Sequence, residues 1–165
     1  MDAAEIVVVV AIAALAGNQH QFWCNAGLLG PRSLLGDAVT KLDKMIGFVV
    51  TTKPEDAKKF FGDKLGFRLM GEDPFAIVFD ANGTMIRVVK AKTFTPWQGT
   101  VLGWEVPDLV DAVKTLESKG LAFERYPGMP QDENGICTFP GGDKVAWFKD
   151  PDGNTLSLSQ HVNHV

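Results

Sequence analysis

The chain has 165 residues, of which 45% are apolar and 22% charged, and its net charge is −4. This length suits one domain with a substantial core and is short for two ordinary domains. The charges form no basic block or stripe, so we expect neither a nucleic-acid partner nor an anionic membrane partner. Cys24 and Cys137 lie far apart and lack metal-ligand spacing, which favours reduced thiols in the cytoplasm over a disulfide.

Residues 1–44 do not share the pattern of the rest of the chain. An unbroken apolar run at residues 6–16 is too short to span a bilayer as a helix. It has the length of a signal-peptide core, but Asp2 and Glu5 precede it where a signal peptide carries positive charge. We therefore expect a cytoplasmic protein with an N-terminal extension. The extension is either an appendage packed on the domain or a partner subunit, or upstream sequence from an early start codon. The second is favoured, because the domain pattern begins at Met45.

Residues 45–91 form a first predicted unit. Residues 45–52 are apolar and β-branched, which predicts a strand, and Pro54 followed by two acidic residues predicts the start of a helix. Apolar residues at helical spacing continue to Leu65, and Gly66 predicts the end of that helix. Three more strands are predicted at residues 67–71, 75–80 and 84–90, with an Asn82-Gly83 hairpin turn between the last two.

A second unit repeats this order over residues 100–161. After a strand at residues 101–106, Asp108 predicts a helix N-cap and Gly120 predicts the end of the helix. Further strands are predicted at residues 121–125, 135–139, 144–149 and 155–160. A long loop rich in Pro and Gly covers residues 126–134, and it is predicted either to close over a cavity or to be solvated. Residues 91–99 are predicted to be the linker between the units.

The two units can be aligned residue by residue. Ile46 aligns with Val101, and the same spacing holds through the helix starts. The Asn82-Gly83 turn aligns with Asp152-Gly153, which aligns Arg87 with Ser157 after the longer loop of the second unit. One helix cannot cover both faces of a four-stranded sheet, so we expect the units to pack together as one domain over residues 45–161 and to enclose a cavity.

Three motifs in this order carry a resemblance. They are Lys64-Leu65-Gly66-Phe67 after the first helix, Gly103-Trp104-Glu105-Val106-Pro107-Asp108 at the start of the second unit, and Phe148-Lys149-Asp150-Pro151-Asp152-Gly153-Asn154 before the last strand. With them, residues 45–160 resemble the vicinal-oxygen-chelate (glyoxalase / bleomycin resistance protein / dioxygenase) superfamily. The resemblance implies an α+β fold of two βαβββ modules, about 45–91 and 100–161, with a cavity between their curved sheets.

Members of that superfamily that use a metal bind one divalent ion through His and Glu from the first and last strand of each module. Carried onto this sequence, the four implied positions are Ile46, Arg87, Val101 and Ser157. None is a usual ligand, because two lack donor atoms and Arg87 would repel a cation. We therefore expect no metal and no cofactor, which disfavours metal-dependent glyoxalase or dioxygenase activity. Whether the protein is an enzyme stays open.

Strand alternation predicts which side chains face the cavity. The predicted ligand-binding residues are Phe48, Arg87, Val89, Glu105, Trp147 and Ser157. Trp104, on the other side of its strand, is predicted to pack in the core. For Arg87 two interpretations stay open: it binds a carboxylate or phosphate of a ligand, or it forms an internal ion pair with Glu105. Trp147 either lines the cavity mouth or packs internally.

Two functions are compatible with this sequence. The first is a metal-free protein that binds a small, partly apolar molecule between its modules, and the antibiotic-binding members that it resembles imply a homodimer. The alternative is a superfamily lyase, isomerase or dioxygenase with a non-standard active site, in which Glu105 is the base and Arg87 holds an anion. We see no nucleophile–base pairing and no Gly-rich phosphate loop in the sequence.

Overall fold

The structure, a computed structural model, describes residues 43–162. The first module contains β1 (Ile46–Thr51), α1 (Pro54–Lys58) with a π-helical continuation (Lys59–Lys64), β2 (Arg68–Glu72), β3 (Ala76–Ala81) and β4 (Thr84–Lys90). The second contains β5 (Thr100–Glu105), α2 (Leu109–Ser118), β6 (Cys137–Thr138), β7 (Lys144–Lys149) and β8 (Thr155–Gln160). Predictions for residues 1–42, including the apolar run and Cys24, lie outside the described residues. The domain boundary at residue 45 stays a prediction.

Each module forms its own four-stranded sheet, in the orders β1-β4-β3-β2 and β5-β8-β7-β6. The first and last strands of each module pair in parallel, and the other pairings are antiparallel. Phe48 pairs with Arg87 in the first module, and Gly103 pairs with Ser157 in the second. The sequence alignment of the two units superimposes the same two pairs, so its register is confirmed at these positions, as is the α+β fold of two modules. The pairing of β5 shifts between Thr100 and Leu102, so Val101, which was aligned with Ile46, has no partner on β8.

The first helix follows the prediction in extent but not in type. It begins at Pro54, and its last turn closes with a hydrogen bond of 3.0 Å from the Leu65 amide to the Phe60 carbonyl. The wider π turn lets two consecutive rings, Phe60 and Phe61, both reach the core, where they meet edge to face at 5.1 Å. Gly66 then adopts φ 76°, a left-handed conformation that ends the helix.

Two predicted strands of the second module are wrong in extent. Residues 121–125 make a single isolated bridge, from Phe123 to Phe148, and the strand predicted at residues 135–139 is reduced to Cys137–Thr138. Both pieces lie along the same edge of β7, and the loop over residues 126–134 separates them. The second module therefore keeps four strands, because the loop interrupts what is one edge strand in the first module.

One hydrophobic core joins the two modules. It contains the buried faces of both sheets and both helices. Phe60 lies 6.2 Å from Phe148 across the modules, and Phe67 lies 5.3 Å from Trp104, each measured between ring centroids. Trp104 packs against this core, as predicted. No helix among residues 43–162 is long and apolar enough to cross a membrane.

Each sheet has a second face that points away from this core, which we name its open face. In the first module the open face carries alternate residues of β1 and β4, paired across the strands: Ile46, Phe48, Val50, Met85, Arg87 and Val89. In the second module it carries alternate residues of β5, β7 and β8: Gly103, Glu105, Trp147, Ser157 and Ser159. All six predicted ligand-binding residues therefore lie on an open face, three on each module.

Candidate binding site

The turn before β8 is organised by one buried carboxylate. Asp150 is 6% exposed and accepts hydrogen bonds from the backbone N–H groups of Asp152 and Asn154, both at 2.9 Å, and from the Asn154 side chain at 2.7 Å. Burial raises the pKa of Asp150, although the hydrogen bonds from Asn154 and Asp152 act in the opposite direction. The motif therefore specifies a rigid turn.

The same turn ties the second module to the first, and we name it the closing latch (residues 150–154). Asp152 accepts hydrogen bonds from the Thr51 hydroxyl at 2.5 Å, the Thr52 hydroxyl at 2.6 Å and the Thr52 backbone N–H at 2.8 Å. Asn154 donates to the Val50 carbonyl at 3.0 Å. Burial raises the pKa of Asp152, but the hydrogen bonds from Thr51 and Thr52 outweigh it, so the pKa is lowered. The latch fixes the end of β1.

The open face of the first module is apolar and accessible around one cation. Phe48 is 59% exposed, Ile46 44% and Met85 41%. Phe48 pairs with Arg87 across β1 and β4, and Ile46 and Met85 form the pair two residues earlier on the same face. The Arg87 guanidinium is 3.7 Å from a carboxylate oxygen of Asp73. Its ion partner in the structure is thus Asp73, and the internal pair predicted with Glu105 is not the one formed.

Asp73 does not depend on Arg87 for its own stability as an anion. Its carboxylate accepts hydrogen bonds from the backbone N–H groups of Phe75 at 2.7 Å and Ala76 at 2.8 Å. These two bonds are the main reason that the pKa of Asp73 is lowered, and Arg87 adds a smaller contribution. Arg87 can therefore turn to another anion without leaving Asp73 unsatisfied.

The open face of the second module is covered around Trp147 and Ser157. Trp147 is 5% exposed and Ser157 8%, and the ring of Tyr126 meets Trp147 edge to face at 5.8 Å. Of the predicted residues on this face, Glu105 is exposed, whereas Trp147 packs beneath Tyr126. A side chain at Gly103 would displace the Ser157 hydroxyl, because a Cβ there would lie 2.6 Å from the hydroxyl oxygen.

The loop over residues 126–134 uses its polar side chains internally. Gln131 accepts from the Tyr126 backbone N–H at 2.7 Å and donates to the carbonyls of Glu124 at 3.0 Å and Gly135 at 2.8 Å. The Asp132 carboxylate accepts from the backbone N–H groups of Asn134, in the loop, and of Ile136, just after it, each at 2.9 Å. These side chains shape the loop rather than face a cavity.

Two clefts lie along the seam where β1 and β5, the edge strands of their sheets, approach each other. Gly47 permits this approach, since a Cβ there would lie 2.7 Å from an Ile86 methyl and 3.1 Å from a Leu102 methyl. One cleft, of about 330 Å³, contains residues of β1 and β5, among them Ile46, Gly47, Phe48, Val101, Leu102 and Gly103.

The other, which we name the linker cleft, has a volume of about 340 Å³ and lies between β1, the linker and the start of β5. Its apolar lining residues are Phe48, Val50, Phe94, Pro96, Trp97 and Val101. Phe94 and Trp97 were not predicted as site residues, because residues 91–99 were interpreted only as a linker. Two aromatic residues within so short a linker were the available signal.

The profile of the Glyoxalase/Bleomycin resistance protein/Dioxygenase superfamily matches residues 41–158. The chain belongs to this superfamily. No functionally curated protein sequence matches it. The comparison with other members of the superfamily therefore rests on the fold and on the residues of the candidate site.

Solved structures of the superfamily share the fold at low sequence identity. A glyoxalase/bleomycin resistance protein/dioxygenase from Nocardioides is 17% identical with a TM-score of 0.58, covering 77% of this chain and 88% of its own. TnmS3, an antibiotic binding protein from Streptomyces sp. CB03234, is 22% identical with a TM-score of 0.56, covering 74% and 98%. Lactoylglutathione lyase from Agrobacterium tumefaciens is 16% identical with a TM-score of 0.54, covering 73% and 95%.

A divalent ion does not fit the four positions at which the superfamily resemblance implies ligands. Ile46 and Val101 present only hydrocarbon, Arg87 presents a cation, and Ser157 is buried over Gly103. Among residues 43–162, no group of three or more His, Cys, Asp or Glu side chains is arranged to hold a metal ion. Cys137 is buried, and burial raises the pKa of its thiol, which disfavours the reactive thiolate.

Proposed function

We propose that this superfamily member binds a small, partly apolar molecule with an anionic group between its modules, without a metal ion. The observation that carries the proposal is Arg87, a cation on an accessible apolar face where metal-using relatives are implied to hold a metal ligand. Phe48, its neighbour on β1, offers the apolar contact. An apolar face with one well-placed charged group is the usual composition of a small-molecule site.

The geometry around Arg87 supports an exchange of anions. At 3.7 Å, its contact with Asp73 is longer than the 2.7–2.9 Å typical of a strong charge-assisted hydrogen bond. A ligand carboxylate or phosphate could form two such bonds with the planar guanidinium at once. Because Asp73 keeps its two backbone hydrogen bonds, the exchange leaves no buried group without a partner.

We further propose that the protein is a cytoplasmic homodimer. Support comes from the number of large apolar side chains that one chain leaves accessible on the first module: Ile46, Phe48, Leu69, Met70 and Met85 are all more than 40% exposed. Three of them, Ile46, Phe48 and Met85, lie on one face of the neighbouring strands β1 and β4, and contiguous apolar surface marks an interface or a ligand site. Native mass spectrometry tests this part of the proposal, since a dimer has twice the 17.9 kDa mass of the chain.

One observation favours a second candidate, an enzyme of the same superfamily without a metal. Glu105 is exposed on the open face of the second module, and a carboxylate is a side chain that can act as a general base toward a substrate. In that mechanism Arg87 would hold the developing anion. The enzyme is favoured over the binding protein if the wild type converts a bound compound and Glu105→Gln abolishes that conversion while it keeps the affinity for the compound.

The test of the binding proposal is titration calorimetry with octanoate, an apolar anion without a ring, on the full chain. Wild type is expected to bind it, and Arg87→Gln is expected to lose about tenfold to a hundredfold in affinity, since a hydrogen bond to a charged group contributes about 1.5–3 kcal/mol. The matched control is Arg68→Gln, because Arg68 is also on the first sheet and ion-paired, to Asp80 at 2.9 Å. Equal affinities of Arg87→Gln and wild type, or no binding by wild type, would overturn the proposal.

A further inference from the structure

The linker cleft is lined mainly by aromatic and other apolar side chains. Its largest accessible side chains are aromatic: Trp97 is 65% exposed and Phe48 59%. Phe94 and Pro96 complete the same wall, and the volume is about 340 Å³. Ligand pockets begin at about 300 Å³, so this cleft is large enough for a ring system but not for a large molecule.

The walls of the linker cleft are fixed on three sides. The backbone N–H of Ala91 donates to the Thr51 carbonyl at 2.9 Å, which holds the start of the linker to β1. The closing latch holds the neighbouring backbone, since Asn154 is 1% exposed and donates to the Val50 carbonyl. Pro96 packs on the latch, 3.4 Å from the position that a Cβ of Gly153 would occupy. A cleft held in this way is formed before a ligand arrives.

Trp97 is held above the cleft by its neighbour Gly99. The indole nitrogen lies 2.7 Å from the position that a Cβ of Gly99 would occupy, so the ring folds back over a residue that has no side chain. Gly99 is buried in the structure. The ring of Trp97 therefore rests against Gly99 while most of its surface stays accessible, and an accessible ring face can stack on a flat ligand.

Arg87 lies one strand away from the aromatic wall. Phe48 lines the cleft and is also the β1 partner of Arg87, and adjacent strands are about 4.8 Å apart. A ring in the cleft can thus carry an acid group across Phe48 to the guanidinium. The site therefore combines two aromatic rings, Trp97 and Phe48, with one cation, Arg87.

We propose that the linker cleft binds the ring of a planar aromatic acid, with Trp97 and Phe48 against the ring and Arg87 on the acid group. This inference rests on the proposed function and narrows its ligand class from apolar anions to aromatic ones. It also assigns a binding role to the linker. None of the six ligand-binding residues predicted from the sequence lies there.

The experiment compares 2-naphthoate, a bicyclic aromatic acid, with octanoate, on the full chain by titration calorimetry. Wild type is expected to bind 2-naphthoate more tightly than octanoate. Trp97→Leu keeps an apolar side chain but removes the ring, and it is expected to weaken 2-naphthoate by about tenfold, the upper end of an aromatic pair's contribution, while changing octanoate little. Phe48→Leu is expected to act in the same direction. Phe75→Leu is the control, because Phe75 is 75% exposed and does not line the cleft.

The Arg87→Gln variant distinguishes the contribution of the ligand's acid group from that of its ring. It is expected to weaken 2-naphthoate and to leave its neutral analogue 2-naphthalenemethanol unchanged, whereas Trp97→Leu weakens both. If both acids bind and depend on Arg87 but Trp97→Leu and Phe48→Leu match wild type for 2-naphthoate, the cleft assignment is wrong and the proposed function stands. If neither acid binds wild type, both proposals fall. Circular dichroism of each variant shows that a lost affinity is not lost folding.

Discussion

The two modules share one register but present opposite surfaces. Phe48 and Arg87 in the first module are the counterparts of Gly103 and Ser157 in the second, and both pairs occupy the same place in their sheets. The first pair forms an accessible apolar face with a cation, whereas Ser157 is 8% exposed and the neighbouring Trp147 lies under Tyr126. The strand framework is thus repeated while one loop decides which face can meet a ligand. Three substitutions test this comparison.

The closing latch is the largest asymmetry between the two aligned turns, because Asp152 bonds to Thr51 and Thr52 of the other module, whereas Asp80 bonds to Arg68 and Gly83 of its own. We expect Asp152→Asn to lower the free energy of unfolding by about 1–2 kcal/mol, since three donors of Thr51 and Thr52 lose their charged acceptor at a partly exposed site. Urea unfolding measures this. The matched variant is Asp80→Asn, whose carboxylate bonds only within the first module, to Arg68 and Gly83. A larger loss for Asp80→Asn would contradict the asymmetry.

The pH dependence of the latch follows from the lowered pKa of Asp152. A carboxyl whose pKa is lower in the folded state stabilises the fold above its ordinary value, near 4, and this contribution is lost as pH falls through the folded-state pKa. The difference in stability between wild type and Asp152→Asn is therefore expected to be constant at neutral pH and to shrink below about pH 4. A difference that grows on acidification would contradict this.

The cover on the second module is the next effect in size. Tyr126→Ala is expected to expose Trp147 and to cost about 1 kcal/mol, the scale of one aromatic pair. Acrylamide quenching of tryptophan fluorescence measures the exposure, in a background with Trp23→Phe, Trp97→Phe and Trp104→Phe, which leaves Trp147 as the one tryptophan of the sequence. Tyr126→Phe keeps the ring and should protect Trp147 as wild type does. Unchanged quenching in Tyr126→Ala would show that the loop backbone, and not this ring, covers the face.

The smallest expected effect concerns Gly103, the counterpart of Phe48. A methyl there would lie 2.6 Å from the Ser157 hydroxyl oxygen, so Gly103→Ala should destabilise the fold by about 1 kcal/mol or less, as the hydroxyl can rotate away. In a Ser157→Ala background the same change should cost less. Thermal unfolding of the four proteins of this double-mutant cycle gives the coupling directly. No coupling between the two sites would place Ser157 elsewhere.

Much of the framework could be predicted because periodicity and turn residues fix it locally. The limits predicted for β4, β7 and β8 agree with the structure, since Asn82-Gly83 and Asp152-Gly153 mark the turns on one side of β4 and β8. Alternation along β1 likewise separated exposed Phe48 from buried Val49. These features depend on neighbours within a few residues.

The rest depends on contacts between distant segments. The path of residues 126–134 is set by Gln131 and Asp132 bonding to loop backbone, a pattern without periodicity, so neither the covered face nor the short β6 was predictable. Asp152 was predicted only as a turn residue, because nothing local indicates that its carboxylate reaches Thr51 and Thr52. The role of Arg87 in ligand binding stays a prediction.

The closing latch also sets an order of events during synthesis. The first module contains every strand of its own sheet once Lys90 has left the ribosome, and that sheet pairs only within the module. The groups that tie β1 to the second module belong to residues 150–154, which follow all of the described strands except β8. A nascent chain therefore exposes Thr51, Thr52 and the Val50 carbonyl to water until the second module is almost complete. Chaperone contacts and misassembly between neighbouring chains would concentrate in that interval.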